Sequence, residues 1–331
     1  SSGIEALVVN TYHLMLAPGS ALIRNAGGIH AFMNWNGPVL SDSGGYQVYS
    51  LIHKHPDMGE VSEDGVVFRS PLNGSRHVLT PEKAIDIQFD LGVDMMVCLD
   101  DPRPNDAPPE ELRAAVDRTL RWAKRCKQHY EFRMSEYASK KRPLLFSVVQ
   151  GGLDVDLRRE CAHGLAAIGF DGYGFGARHV DMEGNFLEAI LRATASFIPQ
   201  NAPRFALGIG SPSDIVRCAR LGWDMFDCVI PTREGRHGRV FVRHRNRSLF
   251  DEHFSETFSI TNERFKEDFS VIDPECLCAA CANGFSRGYI RHLFSVGEPL
   301  GPQLLSLHNL SFYVDLMKEL RGHISSKHVP L

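Results

Sequence analysis

A chain of 331 residues, 43% of them hydrophobic and 23% charged, has a globular composition and enough length for one large core or two modest ones. The formal net charge of −4 excludes a globally basic nucleic-acid-binding protein, so any surface of that kind must be a local patch. No apolar run approaches the ~18 residues that span a bilayer, and the first residues lack a secretory signal pattern, so no membrane partner is expected.

From residue 1 to about residue 232, short apolar runs alternate with amphipathic helical patterns. The runs are continuously apolar, which is typical of parallel strands buried on both faces. Thr80 and Pro81 are start signals of one helix, and Gly92 is its stop signal. The predicted strands are 6–9, 38–40, 93–99, 144–149, 173–175, 205–209 and 225–226. The predicted helices are 80–92, a long one from Pro108, 154–168, 183–197 and 212–221.

This alternation predicts an α/β fold, a (β/α)8 TIM barrel. Seven strands are found where eight are needed, so we expect the first barrel strand to be missing from this chain. A doubly wound sheet is the alternative, but no G-x-G-x-x-G follows an early strand. Residues 66–69 and 77–80 flank Pro71-Leu72-Asn73-Gly74, which predicts an inserted β-hairpin. We expect a barrel region over 1–239 and a C-terminal zinc-binding subdomain with helices at 286–293 and 304–320 over 240–331.

Polar residues follow the predicted strands, and barrel active sites lie at these carboxyl ends. Acids, an amide and glycines on one rim suit a polar, hydrogen-bonding small group. Each position has a plain alternative: the segment with Asp42 and Tyr46 could be a glycine turn with a core tyrosine, and Gln150 could begin a strand-to-helix turn. The strand-end residues are Asn10, Asp42, Asp100, Asp101, Gln150, Gly176, Gly208, Gly210 and Asp227.

A basic segment follows the last of these acids. Residues 233–247 hold six arginines among glycines, and we predict a loop after Pro231 has ended the strand. A carboxylate beside a dense cationic segment indicates chemistry on a polyanion. The alternative is a strand-end Asp that caps a turn, followed by a solvated loop.

Three of the eight cysteines have the spacing of metal ligands. Cys276, Cys278 and Cys281 supply three thiolates, and tetrahedral zinc needs a fourth ligand. His308 is the expected fourth ligand, and His292 is the alternative. Four protein ligands leave no open position, so we predict one structural Zn²⁺ per chain. The other cysteines are expected to be buried thiols in a reducing cytoplasm.

Several long motifs resemble those of the tRNA-guanine transglycosylases (queuine/preQ1 tRNA-ribosyltransferases). They are Asn10-Thr-Tyr-His-Leu, Ser41-Asp-Ser-Gly-Gly-Tyr-Gln-Val, Val149-Gln-Gly-Gly, the run from Met225 to Arg233, and Cys-x-Cys-x-x-Cys with a later His-Asn-Leu. The resemblance runs from residue 4 to about residue 320. It implies a zinc-containing TIM barrel, a pentosyltransferase that replaces a tRNA guanine, in most members at wobble position 34 of GUN anticodons, with queuine or preQ1.

Carried over residue by residue, the resemblance makes Asp227 the nucleophile and Asp42 the general acid/base. It also implies three groups of binding residues and a cytoplasmic homodimer that works in queuosine modification. The implied base-binding residues are Tyr46, Asp100, Gln150, Gly176 and Leu207, the implied RNA-binding residues are Arg233, Arg236 and Arg239, and the implied zinc ligands are Cys276, Cys278, Cys281 and His308.

Two departures from the family pattern concern the base pocket. Residues 176–181 read Gly-Ala-Arg-His-Val-Asp where the family has Gly-Gly-Leu followed shortly by Gly-Glu, and Pro102 follows Asp100 and Asp101 where bacterial members have Cys. The choice between queuine and preQ1 therefore stays open. Two other functions also stay open: a non-catalytic RNA-binding partner subunit of the same fold, and a related enzyme acting on another nucleic acid.

Overall fold

The computed structural model describes residues 3–136 and 141–326, which form two compact units. The sheet unit comprises Glu5–Leu207 and Trp223–Met225. The cysteine unit comprises the described residues of Ser1–Ile4, Gly208–Gly222 and Phe226–Leu331. The predicted boundary at residue 239 stays a prediction. No helix of the described residues is both long and apolar enough to cross a membrane.

The sheet unit alternates strands with helices. Its strands are β1 (Leu7–Asn10), β2 (Val39–Asp42), β3 (Gly59–Val61), β4 (Val66–Arg69), β5 (Arg76–Leu79), β6 (Met95–Val97), β7 (Leu144–Val149), β8 (Gly172–Phe175), β9 (Arg204–Ala206) and Met225 of β10 (Met225–Phe226). Its helices are α1 (Thr11–Leu16), α2 (Ser20–Asn25), α3 (Ile29–Met33), α4 (Gly45–Lys54), α5 (Pro81–Leu91), α6 (Pro109–Ser135), α7 (Val155–Ile168) and α8 (Glu188–Phe197).

Seven strands form one sheet in the order β1-β2-β6-β7-β8-β9-β10, and the recorded pairs from β1 to β9 are parallel. Each strand of the described sheet therefore lies beside the next one in the chain once the β3–β5 insertion is set aside. A doubly wound sheet reverses its strand order at a switch point, whereas a (β/α)8 barrel does not. The predicted barrel-type α/β fold is confirmed, and the doubly wound alternative is wrong.

Strand residues pack on both faces of the sheet, as their continuous apolar character predicted. Phe146 and Val148 of β7 pack in one cluster with Leu40, Val97 and Phe205, and the next residue Leu145 packs in another cluster with helix side chains. Because the strands are parallel, their carboxyl ends lie at one edge of the sheet, and polar residues follow the strands at that edge.

Helix signals in the sequence work as predicted for α5. The Thr80 side chain accepts a hydrogen bond from the Lys83 backbone N–H, and Gly92 ends the helix in the left-handed conformation at φ 68°. The helix predicted over 183–197 begins late, at Glu188, because Val180 and Phe186 pair as an isolated β-bridge around a turn.

The predicted hairpin is confirmed and carries a third strand. β4 pairs with β5 in antiparallel register, with Val66 opposite Leu79, and β3 pairs antiparallel with the other edge of β4. Strand β3 was not predicted from the sequence, because it is three residues long and begins with Gly59.

The described residues of the cysteine unit include an apolar cluster around the cysteines and another against the long C-terminal helix. The prediction of a basic loop over 233–247 is wrong for most of that range, because Pro231 lies in the first turn of a helix and a strand follows at Arg239–Arg243. Residues 244–247 lie in a turn, as predicted. The elements are α9 (Pro212–Arg220), Phe226 of β10, α10 (Ile230–Arg236), β11 (Arg239–Arg243), β12 (Ser255–Ser259), α11 (Ala279–Ala282), α12 (Arg287–Ser295) and α13 (Leu300–Ser325).

Candidate active site and metal centre

Asp42 ends strand β2 and is held by a network from β1 and its own turn. Asn10, its partner in register, donates from Nδ2 to Asp42 Oδ2 at 2.6 Å. The backbone N–H groups of Thr11 and Gly44 donate to Oδ1 at 3.2 and 3.1 Å. Gly44 adopts φ 79°, a left-handed conformation that favours glycine, and a Cβ there would lie 2.9 Å from the Tyr12 backbone N. These contacts keep the carboxylate at the strand end.

Asp100 and Gln150 form a buried pair beyond strands β6 and β7. Gln150 Nε2 donates to Asp100 Oδ2 at 2.7 Å, and both residues are almost fully buried. Burial raises the pKa of Asp100 to about 7, although the hydrogen bond from Gln150 opposes the shift. Within the described residues, Asp100 forms no ion pair, and its carboxyl group lies beside an amide that can exchange hydrogen bonds with a ligand.

Asp101 has the opposite surroundings although it is the next residue. Arg118 and Arg103 both donate to its Oδ2, the second at 3.2 Å, and the Thr119 hydroxyl accepts from its backbone N–H at 3.1 Å. These contacts turn Asp101 toward helix α6. Asp101 therefore forms ion pairs with Arg103 and Arg118, whereas the Asp100 carboxyl group is the one that a ligand could contact.

Gly176, at the end of β8, is shaped by Gln150. A Cβ at Gly176 would lie 2.4 Å from Gln150 Nε2, so the absence of a side chain lets the amide occupy that space. Leu207 is partly buried in the cluster on one face of the sheet, and Tyr46, in the first turn of α4, keeps 59% of its surface exposed. The sheet unit brings the pair and Gly176 together and leaves the Tyr46 ring available to a planar ligand.

Asp227 follows strand β10 and lies in the cysteine unit. Its Oδ1 accepts a hydrogen bond from the Gly208 backbone N–H at 2.8 Å. Burial raises the pKa of Asp227, and the Gly208 hydrogen bond opposes that shift. The side chain is a partly buried, oriented carboxylate.

The arginines of 233–247 divide into two groups. Arg233 and Arg239 are 52% and 60% exposed at the side chain and share Glu234 at long distances of 3.4 and 3.5 Å, and Arg236 is exposed as well. Arg243 is only 8% exposed and binds Glu319 at 2.8 Å, while Arg245 and Arg247 also have acidic partners. The first group is available to an external anion, and Arg243 is structural.

Cys276, Cys278, Cys281 and His308 form a buried cluster that could hold a metal ion. Their ligand atoms lie within 4.8 Å of one another, and His292 is not among them. His308 Nδ1 lies 3.5 and 3.4 Å from the sulfurs of Cys278 and Cys281. Tetrahedral bonds of about 2.3 Å to sulfur and 2.0 Å to nitrogen place such atoms about 3.5 Å apart. The donor set and its spacing fit the predicted zinc.

A second contact prepares His308 for this role. Its Nε2 lies 2.9 Å from the Phe241 carbonyl oxygen, which can only accept, so Nε2 carries the proton and Nδ1 presents its lone pair to the cluster. The next residue, the buried Asn309, donates to the carbonyls of Pro231 and Arg239 and accepts from the Phe241 N–H. Two adjacent residues of α13 therefore contact the cysteine cluster and the first turn of α10, respectively.

Asn309 and Arg158 also contribute to these sites and were not predicted from the sequence. Arg158 is fully buried on α7, and its guanidinium contacts backbone carbonyls of the segments that carry Gln150 and Gly176. An arginine at an ordinary helical position carries no signal of burial. Asn309 did carry a signal in the sequence, because it directly follows the predicted ligand His308 in the His-Asn-Leu motif.

Comparisons with known proteins agree with this geometry. The profile of the family described as Queuine tRNA-ribosyltransferase matches residues 1–330. The chain is 42% identical over 320 residues to the queuine tRNA-ribosyltransferase of Halothermothrix orenii, covering 97% of this chain and 79% of the relative. It is 40% identical over 325 residues to that of Zymomonas mobilis, with 98% and 79% covered, and 41% identical over 324 residues to that of Symbiobacterium thermophilum, with 98% and 75% covered.

A barrel-type sheet with acids at its strand ends, and a buried four-ligand cluster that could hold a metal, define an α/β enzyme with a candidate metal site. The chain belongs to the queuine tRNA-ribosyltransferase family, whose members are transferases that act on guanine in tRNA. The predicted family and the predicted class of enzyme are confirmed.

Proposed function

We propose that this chain exchanges guanine for a 7-deazaguanine base, queuine or preQ1, at wobble position 34 of tRNAs with GUN anticodons. The observation that carries the proposal is the buried Asp100–Gln150 pair. Guanine presents two N–H donors, at N1 and the 2-amino group, next to the O6 acceptor. A carboxylate that lacks a cation and an amide with both donor and acceptor complement that edge.

The base-binding roles fall on residues of the sheet unit. Asp100 accepts from the N1–H and 2-amino groups, and Gln150 donates from its amide. Gly176 leaves room beside that amide, Leu207 lines the pocket, and the exposed ring of Tyr46 stacks on the base. Because Asp100 must be ionised to accept both hydrogen bonds, its raised pKa makes base binding sensitive to pH near 7.

The chemistry needs a nucleophile and an acid. An Asp227 carboxylate oxygen forms a bond to ribose C1′ as the bond from C1′ to guanine N9 breaks, and guanine leaves with a proton from Asp42. The incoming base then attacks C1′ through N9, returns the proton to Asp42 and releases Asp227 as a carboxylate. The incoming base thus replaces guanine, and the enzyme ends the cycle with the same number of protons as it began.

The RNA must present its wobble base out of the anticodon stack, which costs a few kcal/mol. Contacts from Arg233, Arg236 and Arg239 to phosphates offset that cost and make affinity depend on salt. The exposure of all three arginines, and the long distances from Arg233 and Arg239 to Glu234, support this role.

Zinc is the metal that we propose for the cluster, one ion per chain, held by Cys276, Cys278, Cys281 and His308. With four protein ligands it supplies no activated water and stabilises the unit around the cysteines. We also propose a cytoplasmic homodimer formed near this centre. The exposed side chains of Leu277 (91%) and Phe269 (84%), close to the ligands in sequence, support that contact.

Trapping the covalent intermediate tests the assignment of the nucleophile. The wild-type protein mixed with tRNA bearing a GUN anticodon should give a protein–RNA band that survives denaturing electrophoresis. The Asp227→Ala variant should give none, whereas Asp251→Asn, which alters a half-exposed acid of the same unit, should match the wild type. A band that persists in Asp227→Ala would assign the nucleophile to another residue.

A further inference from the structure

Arg158 is a buried cation whose partners are backbone carbonyls. Its side chain is fully buried, and the described residues include no carboxylate in an ion pair with it. Nε donates to the Gly152 carbonyl at 2.7 Å, Nη2 to the Gly176 carbonyl at 3.0 Å and Nη1 to the Val149 carbonyl at 3.4 Å. The guanidinium carbon also lies 4.3 Å from the centre of the Phe175 ring.

Burying this charge without a counter-ion is costly, so packing alone does not account for it. Burial lowers the pKa of Arg158 to about 10, and the group remains protonated at neutral pH. A methionine or leucine would fill the same space without the desolvation penalty. What the guanidinium adds is a planar set of donors that can hold several carbonyls in fixed directions.

The carbonyls that it holds flank the proposed base-binding residues. Val149 and Gly152 lie on either side of Gln150, and the third carbonyl belongs to Gly176 itself, whose missing side chain makes room for the Gln150 amide. Gly151 has φ 138°, and a Cβ there would lie 2.8 Å from Arg158 Cγ. The turn after β7 is therefore built around this arginine.

We infer that Arg158 is a positioning residue, which sets the Gln150 amide and the Gly176 backbone in the geometry that binds guanine. The inference rests on the proposed base-binding roles of those two residues. Arg158 acts through them and does not touch the base. A shift of the order of 1 Å in such groups is enough to lower affinity and rate strongly.

Equilibrium dialysis with radiolabelled guanine tests this inference, because it gives the Kd and the number of sites per chain separately. Arg158→Lys keeps the charge and most of the aliphatic stem, but its donors sit on one nitrogen and cannot reproduce the planar set of three nitrogens that holds the three carbonyls. It should raise the Kd about tenfold with close to one site per folded chain, and Arg158→Met should raise it further. Arg159→Met is the matched control, since Arg159 is half exposed and pairs with Asp156.

The possible outcomes distinguish failure of the inference about Arg158 from failure of the proposed base site. Unchanged Kd values in both Arg158 variants, or fewer sites at an unchanged Kd, would show that Arg158 only supports folding and would overturn the inference alone. A wild-type protein that binds no guanine would overturn the proposed base site and the inference with it. A raised Kd in the Arg159→Met control would also contradict it, because the effect would not depend on the buried carbonyl contacts.

Discussion

Replacing Asp100 with Asn should stabilise the protein at high pH while it abolishes guanine binding. Burial raises the pKa of Asp100 from an ordinary 3.8 to about 7, and a shift of this size corresponds to about 4 kcal/mol at about 1.4 kcal/mol per pKa unit. Between these two pH values the folded protein binds more protons than the unfolded chain, so its stability falls as pH rises toward 7 and levels off above.

The Asn side chain keeps an oxygen that accepts from Gln150 but never ionises. The stability of Asp100→Asn relative to the wild type should therefore increase by about 2.5 kcal/mol between pH 5 and pH 8, as an upper bound. Urea unfolding at both pH values, with zinc in excess, measures this difference. Other titrating groups cancel because they are common to both proteins.

Asp101→Asn is the matched control, with the opposite sign. Asp101 is buried against Arg118 and Arg103, so its loss should lower the free energy of unfolding by about 1–3 kcal/mol at both pH values. A difference between Asp100→Asn and wild type that does not change with pH would refute the reasoning about Asp100. In the wild type, the guanine Kd should rise about tenfold for each pH unit below about 7.

Three further changes test other parts of the account. Cys278→Ser should lose the zinc, measured by atomic absorption, and should expose residues after 240 to limited proteolysis, whereas retention of one zinc per chain would contradict the assigned ligands. Ala177 has φ 88°, so Ala177→Gly should raise the free energy of unfolding by about 1 kcal/mol, while Ala114→Gly, at an exposed position of α6, should lower it by about the same amount. Arg236→Ala should raise the KM for tRNA and reduce the salt slope by about 1, with Arg24→Ala unchanged, and no effect on tRNA would remove Arg236 from the interface.

Features encoded by neighbouring residues were predictable from the sequence. The caps of α5 at Thr80 and Gly92 and the order of the parallel strands depend on local signals and on apolar runs, and both agree with the structure. The four cluster residues followed from cysteine spacing and one histidine in a motif. The start of α10 could not be predicted from the sequence, because Pro231 is compatible with both a strand end and a first helical turn.

Features that depend on tertiary surroundings were not predictable. Asp100 and Asp101 are adjacent residues of the same type, so the sequence does not show which of them pairs with arginine. In the structure, Arg118 and Arg103 pair with Asp101, and Asp100 is the buried acid with a raised pKa. Burial of Arg158 likewise follows from how α7 packs on its sheet and not from its helical periodicity.

The exchange reaction itself tests most directly whether this chain replaces the wobble guanine of tRNA. The full chain, with zinc bound, is incubated with radiolabelled guanine and tRNA bearing a GUN anticodon, and label in acid-precipitated RNA is counted. We predict incorporation into this tRNA and none into the same tRNA with adenine at position 34. Absence of label from the first tRNA, or equal label in both, would contradict base exchange at the wobble guanine.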